Sequence, residues 1–331
     1  MNIPENQKNV ASAHDFAEKP AAKIRVISSL SVIIATVGRK EIAGQTICSL
    51  ASRKTLPHSV IVVGASENDL PVLPNELPFQ IHLSVAPAKG LPIQRNHGIR
   101  HLSPSIEFAV FLDDDMEVHD DYCAEVENVF RAYPEVAGFS GHCIANGDIS
   151  RATARTLLDQ QPTHQGRPIF GFFPKRWPGF YGCAMNIRRR LLDLEQFDEN
   201  LPLYALGEDC EMGFRLSRHG SVGGSGSCLV VHLAVRSGRI SEVGVGYAQI
   251  INPLYFSCKG IGFPKFATYW QKLVKMPMVN LIFWLIPSFD QKSSFVDRKG
   301  RFRGNILALS DVAKGKIEPM NLLNVVAKFE K

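Results

Sequence analysis

The 331-residue chain is 45% hydrophobic, 21% charged and 9% aromatic, which fits a folded protein with a sizeable core and excludes a disordered or fibrous one. Its net charge of +5, from 37 basic and 32 acidic residues, is too small to mark a nucleic-acid binder, although it suits a phosphate-bearing ligand or an anionic membrane surface. Seven cysteines without a CxxC pair or a regular framework read as reduced, mostly buried thiols in a cytoplasm.

Residues 1–28 are expected to form a loosely ordered leader. Met1 to Lys23 lacks the apolar run of a signal peptide, so a cytoplasmic location is expected. Ser31 to Ala35 (SVIIA) is a β-branched apolar run broken by Thr36-Val-Gly-Arg39, the pattern of a buried strand feeding a loop. Glu41 to Arg53 has helical spacing, with Ile42, Thr46, Ile47 and Leu50 on one side. Ser59 to Val63 reads as a second buried strand ended by Gly64, Gln80 to Val85 as another strand, and Gly90 to Leu102 as a helix. Phe108 to Leu112 (FAVFL) is a further buried strand. Strands and helices alternating at this spacing predict an α/β fold, its sheet mostly parallel with helices on both faces. Ligands of such sheets bind at the carboxyl ends of the strands. The loops carrying Thr36 and Arg39, Ser66 and Glu67, and Asp113, Asp114 and Asp115 are therefore expected to share one crevice.

Three aspartates directly after a buried strand repel one another and raise each other's pKa. A divalent cation relieves that crowding, and hard cations such as Mg²⁺ take carboxylate oxygen together with substrate phosphate. Asp113 and Asp115 have the D-x-D spacing, so a metal or diphosphate site is expected there rather than a charged turn. The D-x-D-x-[TV] pattern of haloacid-dehalogenase phosphatases fails, because its fifth position is Glu117. Further on, Gly207-Glu-Asp-Cys-Glu-Met-Gly-Phe-Arg-Leu216 predicts a helix running to about His219, with Glu208 and Asp209 in its first turn. The helix dipole keeps an acid ionised there, and an ionised carboxylate can take a proton from an attacking hydroxyl. Helix capping explains the same residues equally well. His232, after the apolar run Cys228-Leu-Val-Val, carries no functional signal by itself.

These residues together resemble family 2 glycosyltransferases of bacteria, from about Leu30 to about Gly260. The matching motifs occur in order. They are Ser31 to Arg39, Lys89 to Ile99 (KGLPIQRNHGI), Phe111 to Asp115, Gly182-Cys-Ala-Met-Asn-Ile-Arg-Arg, Phe197-Asp-Glu before Gly207-Glu-Asp, and His232 downstream of Asp209. The resemblance implies a GT-A fold, a Rossmann-like nucleotide-binding sheet with a C-terminal helical extension. It implies an inverting transferase that moves a sugar from a nucleotide-sugar donor with a divalent metal, Mn²⁺ or Mg²⁺. Asp115, His232 and Asp113 would hold the metal, and Asp209 would be the catalytic base. Thr36, Arg39, Glu67, Arg95, Asp113, Asp114, Gly182, Cys183 and Glu208 would line the donor site. One departure concerns the nucleotide base: Gly64-Ala-Ser-Glu-Asn-Asp69 lacks an acid directly after the second strand. Glu67 or Asp69 would have to substitute, which leaves uridine, thymidine and guanosine donors open.

The expected organisation is a catalytic domain over 29–235, divided at 115 into a nucleotide-binding half and an acceptor half, followed by an extension over 236–331. The extension should cover a saccharide or lipid-linked acceptor through Arg236-Ser-Gly-Arg239, Tyr247 and Leu254-Tyr-Phe256. Its apolar stretch, Met276 to Pro287, is shorter than the roughly 20 residues needed to span a bilayer. Basic neighbours including Lys272, Lys275, Arg298 and Lys299 make it either a buried helix or a peripheral contact with the inner membrane surface. Two rival readings are a non-catalytic sugar-nucleotide-binding module and a nucleotidyltransferase. Ala35 to Arg39 is too short for the phosphate loop of the latter.

Overall fold

The computed structural model describes residues 24–162, 170–172, 179–235, 240–261, 270–289 and 296–329. The uninterrupted apolar runs form strands buried on both sides, as a parallel sheet requires. In chain order these are β1 (Arg25–Thr36), helix α1 (Lys40–Ala51), β2 (Thr55–Gly64), β3 (Gln80–Val85), α2 (Leu91–Arg100) and β4 (Phe108–Asp113). The second half adds β5 (Met116–Val118), α3 (Tyr122–Ala132), β6 (Val136–Asn146), α4 (Arg151–Asp159), β7 (Phe170–Phe172), β8 (Ala184–Arg188), α5 (Arg189–Leu192), α6 (Glu208–Leu216) and β9 (Ser221–His232). A helical extension follows: α7 (Glu242–Cys258), a π-helical turn (Trp270–Lys275), α8 (Met276–Leu285), α9 (Arg298–Ala313) and α10 (Leu322–Phe329).

The sheet order is β3-β2-β1-β4-β8-β6-β9-β5, with β7 also on β9. β3, β2, β1 and β4 are all parallel, whereas β8 runs antiparallel to both β4 and β6, so the sheet is mixed beyond β4. One apolar cluster beneath α1 and α3 contains Ile34, Ile47, Val62, Val110 and Phe130. The other face, under α2 and α6, contains Ile33, Ile61, Ile99, Phe111, Met212 and Leu216. Helices thus cover both faces, as expected. Alternate β1 side chains enter opposite cores, and each buried aliphatic side chain contributes about 1.5–3 kcal/mol, which fixes the register.

Two boundaries differ from the sequence reading. β1 starts at Arg25, whose N–H bonds Lys54 O, so 25–28 are strand rather than leader; 1–23 lie outside the described residues. α6 ends at Leu216, not near His219. The extension has its own core of Tyr247, Ile250, Ile251, Leu254, Ala308 and Leu322. Within it, α8 is inverted relative to a buried apolar helix. Asn280 is fully buried, hydrogen-bonded to Asn305 and Gln249, whereas Met278, Trp284 and Leu285 are exposed.

Candidate active site

The first strand's loop turns through Gly38 at φ +65°, a left-handed conformation that glycine adopts without strain. Gly38 N–H donates to Asp69 Oδ1 at 2.6 Å, and Ser66 Oγ donates to Asp69 Oδ2 at 2.8 Å. Asp69 is therefore the acid after β2 that turns inward. Glu67 is exposed at the start of the same turn. On α2, Gln94 Nε2 donates to Thr36 O (2.9 Å) and Val63 O (2.8 Å), binding the ends of β1 and β2 together. Thr36 is buried at the tip of β1.

β4 delivers the aspartates. Asp113 N–H bonds Cys183 O at 3.1 Å, which sets the Gly182–Cys183 segment against the strand end. β5 then pairs with β9 so that Met116 faces His232, and Leu233 N–H bonds Asp115 O. This pairing brings a histidine distant in sequence to 3.1 Å (Nε2 to Oδ1) from Asp115 and 3.9 Å from Asp113 Oδ2. The ligand atoms of Asp113, Asp115 and His232 all lie within 4.8 Å of one another, a group that can hold a metal ion. Asp115 Oδ1 fits that role, because it is buried with the His232 ring nitrogen beside it. Asp115 Oδ2 accepts the Val235 N–H at 2.9 Å, a backbone contact that no sequence pattern announced.

Arg39 does not point into an open donor site. Its guanidinium pairs with Asp114 (2.6 Å) and Asp115 (3.4 Å) and reaches Val235 O. Asp114 is buried beneath it, and its backbone carbonyl accepts the Thr46 hydroxyl. Burial raises the Asp114 carboxyl to about 7 despite Arg39. Burial likewise raises Asp113, with Arg95 and His232 opposing. Burial also disfavours the Asp115 charge, but the His232 hydrogen bond and charge, Arg39 and the Val235 N–H outweigh it and hold its carboxyl below the usual range. His232 is correspondingly raised, because its Asp115 partner overcomes burial.

Arg95, on α2, links this cluster to α6. It pairs with Glu208 and donates to Asp113 Oδ1 (3.3 Å) and Gly182 O (3.1 Å). Gly207 turns at φ +86° to start α6, which puts Glu208 and Asp209 in its first turn. Burial pushes Glu208 up to about 8 even beside Arg95. Asp209 Oδ1 accepts the Cys210 N–H at 2.8 Å, and burial raises its carboxyl while that bond opposes. A Cβ at Gly182 would come within 2.9 Å of Asp209 Oδ2, so glycine is what lets the segment pass the carboxylate. The Cys183 side chain is buried in the same segment.

Of the expected acceptor cover, Tyr247 is fully buried, with its hydroxyl on Asp311. Tyr255 donates to Asp198. Both hydroxyls thus serve contacts within the protein, and Phe256 lines a cavity. Arg236 to Arg239 lie outside the described residues.

Residues 31–194 match the family model described as glycosyl transferase family 2. No curated protein matches the chain. Among solved structures, a mannosyltransferase from Pyrobaculum calidifontis, PcManGT in complex with GDP-Man and Mn²⁺, aligns over 95% of this chain and 82% of its own, at 16% identity and a TM-score of 0.44. S. aureus TarS 1-349 aligns over 90% and 83% respectively, at 14% identity and a TM-score of 0.47. GalNAc-T7 with UDP, GalNAc and Mn²⁺ aligns over 88% and 59%, at 13% identity and a TM-score of 0.45.

Proposed function

We propose that this chain, a glycosyltransferase by its family 2 domain over residues 31–194, transfers a sugar from a nucleoside-diphosphate donor to an acceptor hydroxyl with inversion at the anomeric carbon. The observation that carries the reading is that Arg95 joins Asp113, one of the Asp113–Asp115–His232 group, to Glu208 and the Gly182 carbonyl, while Gly182 itself packs against Asp209. Asp115, His232 and Asp113 would hold a divalent cation, which would neutralise the charge developing on the diphosphate leaving group. Arg95 and Gln94 fix the strand ends and the Gly182 segment against which the sugar rests. Asp209, raised by burial, takes the proton of the acceptor hydroxyl from the face opposite the leaving group. Asp69, rather than Glu67, meets the nucleotide half of the donor through the Gly38 loop.

The extension adds a surface. Among the described residues no helix is long and apolar enough to cross a membrane. α8 exposes Met278, Ile282, Trp284 and Leu285, and Lys299 Nζ lies 5.7 Å from the centre of the Trp284 ring. Apolar side chains beside cations suit the headgroup region of an anionic lipid surface. We therefore assign this face to peripheral contact with the cytoplasmic side of the inner membrane, and the pathway to cell-surface polysaccharide or glycolipid synthesis.

The test is a thermal-shift screen of UDP-, dTDP- and GDP-sugars with Mn²⁺, Mg²⁺ or chelator. A donor that binds only the folded state raises the midpoint. A metal-dependent shift with one donor is expected. Asp209→Asn should keep that shift and lose about 10²–10⁴ in the rate of nucleoside diphosphate release. If more than about a tenth of the rate survives, Asp209 is not the base.

A further inference from the structure

A cavity of about 590 Å³ opens where α6 meets the extension, in the size range of sites for small organic ligands, about 300–1,000 Å³. Asp209 forms part of its wall. The rest is chiefly apolar: Leu206, Phe214, Pro253, Phe256, Ile261 and Met276 contribute from three separate elements. Such a lining has little to offer a free sugar, whose hydroxyls need polar partners on every side.

One cation interrupts it. Lys272, in the π-helical turn, also lines the cavity. Among the described residues it makes no ion pair or hydrogen bond, and the titrating group that acts on it is the Cys210 thiol. Glu211, the other acid of the lining, is already satisfied. Its Oε1 receives Lys259 (2.9 Å) and Arg215 Nε (2.9 Å), and its Oε2 receives Arg215 at 2.8 Å. Among the described residues Lys272 is thus a half-buried charge without a counter-ion, in an apolar cavity beside the proposed base. Burial lowers its pKa, the direction an unpaired ammonium takes.

We infer that this cavity receives the apolar portion of an amphiphilic acceptor that bears an anionic group, with Lys272 as counter-ion to that anion and the acceptor hydroxyl facing Asp209. The inference rests on the glycosyltransferase reading for the word acceptor; the ligand chemistry rests on the cavity alone. A phosphate ester on a hydrocarbon chain is the simplest molecule with both features. Met276 lines the cavity and also begins α8, whose exposed apolar side chains face away from the helical core, so a chain can pass from a lipid surface towards Asp209.

Calorimetric titration of the full chain with submicellar dodecyl phosphate, dodecanol and inorganic phosphate tests it. Dodecyl phosphate should bind at least about tenfold tighter than dodecanol, and inorganic phosphate should not bind in the same range. Lys272→Met should remove the preference for dodecyl phosphate while leaving dodecanol unchanged. Met276→Trp, which enlarges a side chain of the cavity wall, should weaken both. Both variants should retain the donor- and metal-dependent thermal shift, which shows that they fold. Equal affinity of the wild-type chain for dodecyl phosphate and dodecanol overturns the inference, as does tight binding of inorganic phosphate alone or a Lys272→Met profile identical to wild type. Absence of any donor-dependent shift, with dodecyl phosphate still bound through Lys272, would instead overturn the transferase reading and leave an amphiphile site.

Discussion

Arg95→Met probes the connection between the aspartate–histidine cluster and α6. Arg95 is 2% exposed, and its guanidinium serves Glu208, Asp113 and the Gly182 carbonyl at once. Methionine retains most of the apolar stem, so the variant removes the charge more than the packing. The Glu208 side chain is 6% exposed and the Asp113 side chain 28%, so water can reach Asp113 but not Glu208. Removing one partner of a buried pair costs about 3–5 kcal/mol. At about 2 °C per kcal/mol, suited to a chain of this length, Tm should fall by roughly 6–10 °C. Without Arg95 the carboxyl, already lifted by burial, takes up a proton on folding. Its folded pKa then lies above its unfolded value of 4.5, so the folded state binds the extra proton and gains stability as pH falls. Wild-type Glu208 is itself raised to about 8, so both proteins share that gain below pH 8, and the deficit should widen above about pH 8, where the wild-type carboxyl ionises and the variant's does not. Arg95→Met/Glu208→Gln should recover a substantial part of it at pH 7.5, because an amide folds without first taking up a proton. Denaturant unfolding at several pH values decides the matter. A loss under about 1 kcal/mol, a deficit that does not vary with pH, or a double variant no better than the single would refute the argument.

His232→Ala should weaken Mn²⁺ binding by more than about tenfold in calorimetry, since even groups that only orient metal ligands are worth 10–100-fold; an unchanged affinity would take His232 out of the ligand set. Gly304→Val should loosen the extension. A Cβ there overlaps the Val243 carbonyl oxygen and comes within 2.7 Å of Tyr247 N, and backbone cannot yield as a side chain can, so a loss of about 1–3 kcal/mol or more is expected in thermal unfolding. Wild-type stability in that variant would mean that α7 and α9 are not in close contact. In flotation with anionic liposomes the protein should rise with the lipid, and Trp284→Asp with Leu285→Ser should leave it at the bottom; a wild-type chain that fails to float would remove the membrane assignment.

The parallel strands were legible because a strand covered on both faces has to be apolar throughout, and SVIIA, SVIVV and FAVFL are. Asp113 and Asp115 were legible because nothing in such a strand explains carboxylates at its end. The antiparallel half was not. β8 (AMNIR) puts Asn186 at 0% exposure, where it is satisfied by the Tyr122 hydroxyl and Phe139 O, and no local pattern signals a polar residue satisfied by remote partners. The choice between Glu67 and Asp69 depends on a single 3-10 turn that exposes one acid and turns the other towards Gly38. For α8 the sequence left burial and a surface position both open. Its neighbours α7 and α9 present Gln249 and Asn305, so the helix buries Asn280 and turns its hydrocarbon outward.

His232 shows why sequence distance hides a site. Its place beside Asp115 depends on β5, only three residues long, turning back from the aspartates to pair with the end of β9. Asp209 depends on a comparably remote brace. Its helix is held from the sheet side by Arg95 on Glu208, and from the extension by Lys259 on Glu211 and Asp198, with Tyr255 also on Asp198. The extension is therefore part of what orients the proposed base, and a change at Lys259, which is not among the residues lining the site, acts on Asp209 through α6. Because α6 carries Asp209 and Phe214 into the apolar cavity and Glu208 onto Arg95, the same short helix joins that cavity to the aspartate cluster.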